Sequence, residues 1–290
     1  MKTRIKPDIN DLLERSRELL EQSALSQVST SSPLHHSIAY HLSTPGSLAR
    51  SKLSLSASSA LNLTTDESVR LAAAVESLHN ASLIQDDLQD RDAIRRGKVA
   101  VWKKFGPDLA INATDLMLSS AFALAASAGG GEAAFALVNT MHQAVAKTLE
   151  GQTKDLSHEG LQRLEDAVAV AKEKSGPLFS LSLELPLVLS GHDEYLGVAR
   201  EVGAAFGIGY QIFDDIQDRE LDRAAGDRFN LALMIESVLS EGSCFKTAEQ
   251  LAHHYLDQAA TSAASLPNDC AALLREKCMD LLMKLELEAA

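Results

Sequence analysis

Asp86-Asp87-Leu88-Gln89-Asp90-Arg91 reads DDLQDR, and Asp214-Asp215-Ile216-Gln217-Asp218-Arg219 reads DDIQDR. Each hexapeptide closes an apolar run, Ala81-Ser82-Leu83-Ile84 before the first and Gly209-Tyr210-Gln211-Ile212-Phe213 before the second. Residues four apart share one face of a helix, so Asp86 goes with Asp90 and Asp214 with Asp218. A single DDxxD reads as a solvated helix end, because charged runs usually sit on wet faces. Two matching copies, each directly behind an apolar segment, overturn that reading. If the two helices face each other, both sets of carboxylates converge on one cavity, where like charges a few Å apart repel strongly. Hard divalent cations relieve the repulsion. Mg²⁺ suits the pattern, since it takes few carboxylates, keeps waters and completes its octahedron with substrate phosphates.

The residues around the clusters extend the pattern. His79, Ser82, Asp86 and Asp90 fall on one helical stripe, and Gly207, Gln211, Asp214 and Asp218 on another. The small residues Ala81, Ser82 and Gly207 leave space for a long apolar chain below the charged mouth, or serve tight helix packing. Arg50, Lys52, Arg95, Arg96, Lys98 and Lys174 are candidates to hold phosphate oxygens, arginine in bidentate fashion. This chemistry describes a helical enzyme that binds a diphosphate ester through Mg²⁺, with diphosphate as leaving group.

The bulk numbers agree. The 290 residues are 46% hydrophobic, enough for a large core. A net charge of −13 argues against nucleic acid as a partner, because its phosphates need a basic surface. Cys244, Cys270 and Cys278 are too few for a disulfide framework or a zinc site, and fit a reducing, cytoplasmic location. The opening MKTRIKPDINDLLERSRELL has no apolar core and does not read as a signal peptide. No uninterrupted apolar run reaches the length of a membrane span, so no integral membrane segment is expected.

Apolar residues recur at helical spacing throughout, which predicts an all-α, single-domain chain. Residues 1–32 read as an N-terminal helix and polar loop, and 33–290 as the main helical domain. Pro33 opens a helix to about Leu42. Another covers Arg50–Leu61, and Thr64 with Glu67 has the capping-box spacing for a helix running to about Asp90. Arg95–Lys98 reads as a basic turn. Helices are expected from Pro107 to Gly129, Glu132–Leu156, Leu161–Lys174, Pro177–Ser190, Asp193–Leu221, Asn230–Leu239, Thr247–Ala264 and Ala271–Leu287, with a loop at 224–227.

The sequence resembles the trans-isoprenyl diphosphate synthases, or polyprenyl synthetases. His79 to Asp90 followed by Arg95-Arg96-Gly97-Lys98 and Phe105-Gly106 is similar to the family's first aspartate-rich region. Gly151-Gln152-Thr153-Lys154-Asp155-Leu156 resembles its GQxxDL segment and Lys174-Ser175-Gly176-Pro177-Leu178-Phe179 its KTxxLF segment, with Ser175 for Thr. Tyr210 to Asp218 resembles its FQxxDDxxD segment. The resemblance covers roughly Pro33 to Leu287. It implies a bundle of long antiparallel helices around a deep central pocket, usually in a homodimer. It implies a prenyltransferase that condenses isopentenyl diphosphate with an allylic prenyl diphosphate and releases diphosphate. Asp86, Asp90 and Asp214 would bind about three Mg²⁺, with Asp87, Asp215 and Asp218 as further ligands or their support. Arg95, Lys174 and Gln211 would hold the allylic substrate, Lys174 and Gln211 near the developing cation, and Arg50, His79 and Arg96 the isopentenyl diphosphate. Ala81 and Ser82, where short-chain members often place an aromatic, imply a product of about C20 or longer.

Two stretches depart from the family. Pro45-Gly46-Ser47-Leu48-Ala49-Arg50 stands where the family usually has G-G-K-R-x-R, so Ser47 replaces the isopentenyl-binding lysine. Asp222 to Asn230 is shorter than the family's lysine-rich loop and contains no lysine. Two alternatives follow: a terpene-synthase-like lyase that ionises one allylic diphosphate without isopentenyl diphosphate, and a non-catalytic subunit of a heteromeric synthase.

Overall fold

The computed structural model describes residues 8–44, 46–157, 164–225, 230–238 and 247–288. The chain forms two compact units, Met1–Met141 with Leu185–Gly191, and His142–Glu184 with His192–Ala290. Helices dominate both, as the periodicity predicts.

The first unit is built on α4 (Thr65–Gln89). Its start follows the predicted capping box: Thr64 Oγ1 accepts from the Glu67 N–H at 3.3 Å, and Glu67 Oε2 accepts from the Thr64 N–H at 2.7 Å. From Leu71 to Leu78 every residue is buried, so α4 is a core helix rather than an amphipathic surface one. Around it pack α1 (Ile9–Leu25), α3 (Ala49–Ala60), α5 (Val101–Phe105) and α6 (Pro107–Ala128), and α2 (Pro33–Leu42) lies on α6. Leu71 and Ile84 are fully buried, and each such side chain stabilises the fold by about 1.5–3 kcal/mol. The buried Ser77 hydroxyl satisfies itself on the Met117 carbonyl of α6 at 2.9 Å.

By length and composition α6 alone, among the described residues, could cross a membrane. The sequence reading expected no such segment. In the fold α6 is a packing helix of this unit, with Ala110, Ala113, Met117 and Ala121 fully buried. The basic turn after α4 is a small hairpin, β1 (Ile94–Arg95) against β2 (Lys98–Val99). Arg96 and Gly97 form its two-residue loop with φ of 51° and 74°. Two consecutive positive φ values are what a type I′ hairpin turn requires.

The second unit centres on α9 (Leu196–Ala225), which packs against α10 (Leu231–Val238), α11 (Ala248–Ala263) and α12 (Ala272–Glu288). α7 (Glu132–Ser157) and α8 (Leu164–Leu189) contribute most of their length to this unit. The sequence reading broke α8 at Ser175-Gly176, where the structure has one continuous helix through Pro177. Interior proline costs a helix about 3 kcal/mol in isolation. Packing on α9 offsets that cost: Phe179 meets Phe206 edge-to-face with centroids 4.9 Å apart. The contact is close because glycines face each other. A Cβ on Gly207 would sit 2.9 Å from the Gly176 nitrogen, and one on Gly203 2.5 Å from the Ser180 Cα. Of the loop expected at 224–227, Ala224 and Ala225 are instead the last residues of α9; 226 and 227 lie outside the described residues, as do 158–163 at the start of the helix read from Leu161.

Candidate functional site

In the first unit α4 delivers its acidic motif at its C-terminal end, with Asp90 as the C-cap. Asp86 is half-buried and Asp90 exposed, whereas Asp87 is 1% exposed. Asp87 Oδ1 accepts from Arg95 Nε at 2.7 Å and pairs with its Nη2 at 2.5 Å. The hairpin turn carries Arg95 back to the helix it followed. Burial raises the Asp87 carboxyl above its ordinary value, against the pull of Arg95. Its Oδ2 is buried without a hydrogen-bond partner.

The other cations of this unit form a chain of contacts. Arg50 Nη1 lies 3.1 Å from His79 Nε2. Burial, then Arg50 and Arg96, hold the His79 imidazole well below its usual range, so it stays neutral and accepts the arginine hydrogen bond. Arg96 Nη1 donates to the Thr44 carbonyl at 2.9 Å. Its guanidinium lies against Gly46, where any Cβ would collide with it. His41, pushed down to about 4 chiefly by burial and then by Arg96, bonds Asn80 Oδ1 at 3.0 Å. Two recesses flank Arg96. One is lined by Arg17, Thr44, Gly46, Glu76 and Asn80 among others, and one by Tyr40, His41, Asp87, Arg95 and Lys98 among others.

The loop that carries Ser47 has a lysine beside it. Lys52 Nζ donates to the Ser47 carbonyl at 2.9 Å. Ala81 is 2% exposed, and the Ser82 hydroxyl turns back to the His79 carbonyl at 2.8 Å.

In the second unit Asp214 and Asp218 are exposed and Asp215 is half-buried. Desolvation, then the Asp218 charge, push the Asp214 carboxyl up to about 6, against a hydrogen bond from Tyr210. Asp215 is engaged by the protein: its Oδ2 accepts from the Leu231 N–H at 2.6 Å. Asn230, which caps α10 by accepting from the Leu233 N–H at 3.0 Å, also donates to the Asp215 carbonyl at 2.6 Å. Lys174 Nζ donates to Asp155 Oδ2 at 2.7 Å, and Ser175 Oγ donates to Gln211 Oε1 at 2.8 Å. The small residue Gly207, read from sequence as possible space for a chain, is accounted for by its contact with α8.

Three residues absent from the sequence-derived site emerge here. Glu76, buried, accepts from both the backbone and hydroxyl of Ser51 and so fixes the first turn of α3, which carries Arg50. Asp155 holds Lys174. Gln152 is 4% exposed with neither amide atom bonded. The Gly151–Leu156 motif was the available signal for Asp155 and Gln152; nothing in the sequence marks Glu76.

Among the described residues no three His, Cys, Asp or Glu side chains form a closed metal cage. The donors present fit a cation that takes few protein ligands. Asp86 and Asp90, and Asp214 and Asp218, are pairs of hard oxygen donors with solvent access. Mg²⁺ accepts such pairs and completes its shell with water and phosphate.

A family model for Polyprenyl synthetase matches residues 31–228. A protein named geranylgeranyl pyrophosphate synthase from Geoglobus acetivorans is 31% identical over 64% of this chain and 59% of its own length. The large subunit 1 of a heterodimeric geranylgeranyl pyrophosphate synthase from Arabidopsis thaliana is 31% identical over 72% of this chain and 62% of its own. The chain thus matches only about three-fifths of the length of these relatives. A solved geranylgeranyl pyrophosphate synthetase from Geoglobus acetivorans superposes with a TM-score of 0.81 at 23% identity, covering 94% of this chain and 99% of that one, which shows the fold.

Proposed function

This chain belongs to the polyprenyl synthetase family, and on that premise we propose that it is a Mg²⁺-dependent prenyltransferase. It joins isopentenyl diphosphate to an allylic prenyl diphosphate and makes a product of about C20 or longer. The observation that carries this reading is the division of labour inside each acidic motif. In each motif the second aspartate is the most buried of the three and is held by Arg95 or by the Leu231 N–H, and the first and fifth are more open to solvent. A solvated helix end has no reason to sort its carboxylates that way.

The family generally uses Mg²⁺, and in this reading Asp86, Asp90 and Asp214, with Asp218, would be the residues that hold about three such ions with the diphosphate. Bound Mg²⁺ supplies Lewis-acid stabilisation of the leaving diphosphate. The protein's own groups do the rest. Arg95, aimed by Asp87, and Lys174, aimed by Asp155, bind the allylic diphosphate. Gln211, oriented by Ser175, lies with Lys174 near the developing allylic cation. Arg50, neutral His79 and Arg96 bind isopentenyl diphosphate, and Lys52 brings a positive charge to the loop that has Ser47 in place of lysine. Ala81 and Ser82, small where short-chain members of the family often place an aromatic, support the longer product. The proposal includes a homodimer in the cytoplasm.

The test is incubation with Mg²⁺, farnesyl diphosphate and labelled isopentenyl diphosphate, with products sized after phosphatase treatment. Label in a longer prenyl alcohol is the expected result. Diphosphate release with an unlabelled hydrocarbon or terpene alcohol would instead mean that Ser47 marks a lost isopentenyl site, and the lyase reading replaces this one. Activity that appears only with a second, different chain would overturn the homodimer.

A further inference from the structure

We propose that the hairpin segment 91–104 docks on the surface of an anionic lipid bilayer. In a chain of net charge −13, this stretch holds six of the 27 Lys and Arg residues and only one of the 40 Asp and Glu. Arg91, Lys98, Lys103 and Lys104 are exposed. Distant acidic charge does not cancel this patch, because exposed charges more than about 8–10 Å apart are largely screened at physiological salt.

Exposed apolar residues sit among these cations. Ile94 is 58% exposed and Val99 42%. They are direct partners across the two strands, and residues directly opposite in an antiparallel pair project from the same face. Arg95, the neighbour of Ile94, turns inward to Asp87, so the Ile94–Val99 face is the outward one. Exposed apolar residues combined with exposed basic side chains in one short segment are the composition that interfacial membrane-binding segments use.

The segment is also held rigid by amphipathic aromatics. Tyr40 donates its hydroxyl to the Val99 carbonyl at 2.9 Å, and Trp102 donates its indole N–H to the Asp92 carbonyl at 2.6 Å. The same rings position the cations. Lys104 lies 3.6 Å from the Tyr40 centroid, and Arg91 and Lys103 lie 5.6 and 5.5 Å from that of Trp102. A preformed patch loses little conformational entropy on docking. The surface goes beyond the prenyltransferase reading and does not depend on it, but the two are compatible: a long-chain diphosphate is itself an amphiphile whose tail partitions into a bilayer.

Trp102 is the only tryptophan in the chain, so its emission reports on this segment without a label. The full-length protein, without substrate, is mixed with vesicles of phosphatidylcholine containing about 30% phosphatidylglycerol, and with phosphatidylcholine alone. Co-sedimentation with the anionic vesicles and a blue shift of Trp102 are expected, both lost at about 0.5 M salt. Ile94→Ser with Val99→Ser, and separately Lys103→Glu with Lys104→Glu, should each weaken the partition coefficient about tenfold or more. Their circular dichroism should match the parent. Absence of binding to anionic vesicles, equal binding to neutral ones, binding without a change in Trp102 emission, or binding that both variants leave intact overturns the proposal. Because no prenyl substrate is present, failure here leaves the prenyltransferase reading untouched, and failure of that reading leaves this one.

Discussion

The two acidic motifs differ by one residue in six, yet the protein anchors them differently. In the first, the chain turns back at Arg96-Gly97 and the buried Asp87 receives a guanidinium. In the second, α9 runs on for six residues beyond Arg219, and Asp215 receives a backbone N–H and neighbours the cap of α10. The same aspartate in the same motif therefore aims a cation in one place and ties down a helix start in the other. What repeats is that the second carboxylate is the most buried of the three in each motif. What differs is set by where the chain goes next.

Substitutions can test this contrast, and the largest effect is expected where the motifs are alike. Asp86→Asn and Asp214→Asn should each lower kcat by about a thousandfold, or about 4 kcal/mol of barrier, measured at saturating substrate and Mg²⁺. If only one of them matters, the motifs are not equivalent.

The second aspartates should separate. Asp87→Ala removes the buried partner of Arg95 and leaves it the longer contact to Asp92 at 3.6 Å, at a cost of about 2 kcal/mol in urea unfolding, and should raise the KM for the allylic diphosphate. Asp215→Ala should cost about 1 kcal/mol, comparable to loss of a helix cap, with unchanged KM. Equal effects on KM would erase the distinction.

The small residues near the motifs should separate as well. Gly207→Ala forces a methyl against the Gly176 backbone and should destabilise by about 1–3 kcal/mol without altering product length. Ala81→Phe should shorten the product on chromatography, and an unchanged length would mean that Ala81 is packing alone.

The smallest effect is the pH response of Asp214, whose pKa of about 6 lies above the unfolded value of 3.8. The folded state then binds more protons than the unfolded state between these pH values, so stability falls as pH rises from about 4 through 6. The melting temperature of the Mg²⁺-free protein should decline over that range, and less so in Asp214→Asn. Mg²⁺ needs the ionised carboxylate, so its apparent affinity, read by titration calorimetry, should rise through the same window.

Much of this molecule was legible from residue order. Local rules depend on neighbours a few positions away. The capping box at Thr64, the helix start at Pro33, the acidic pairs at i and i+4 and the turn at Arg95–Lys98 therefore follow directly from the sequence. The continuous α8 does not, because Pro177 and Gly176 are breakers by every local rule, and only the packing of Phe179 and the glycine contacts on α9 keep that helix whole. Nor does the partner of a buried carboxylate. No spacing rule separates Asp87 from Asp215, and only the folded chain decides that one meets Arg95 and the other the Leu231 N–H. The buried Glu76, which sets the turn carrying Arg50, lies in a run of apolar residues and is invisible until α3 lies across it. The sequence by itself determined which groups carry the chemistry, since side-chain type and helical period are local properties. Tertiary structure decided which of those groups face solvent and which are consumed in holding the others, because burial and partner choice depend on segments far apart in the chain.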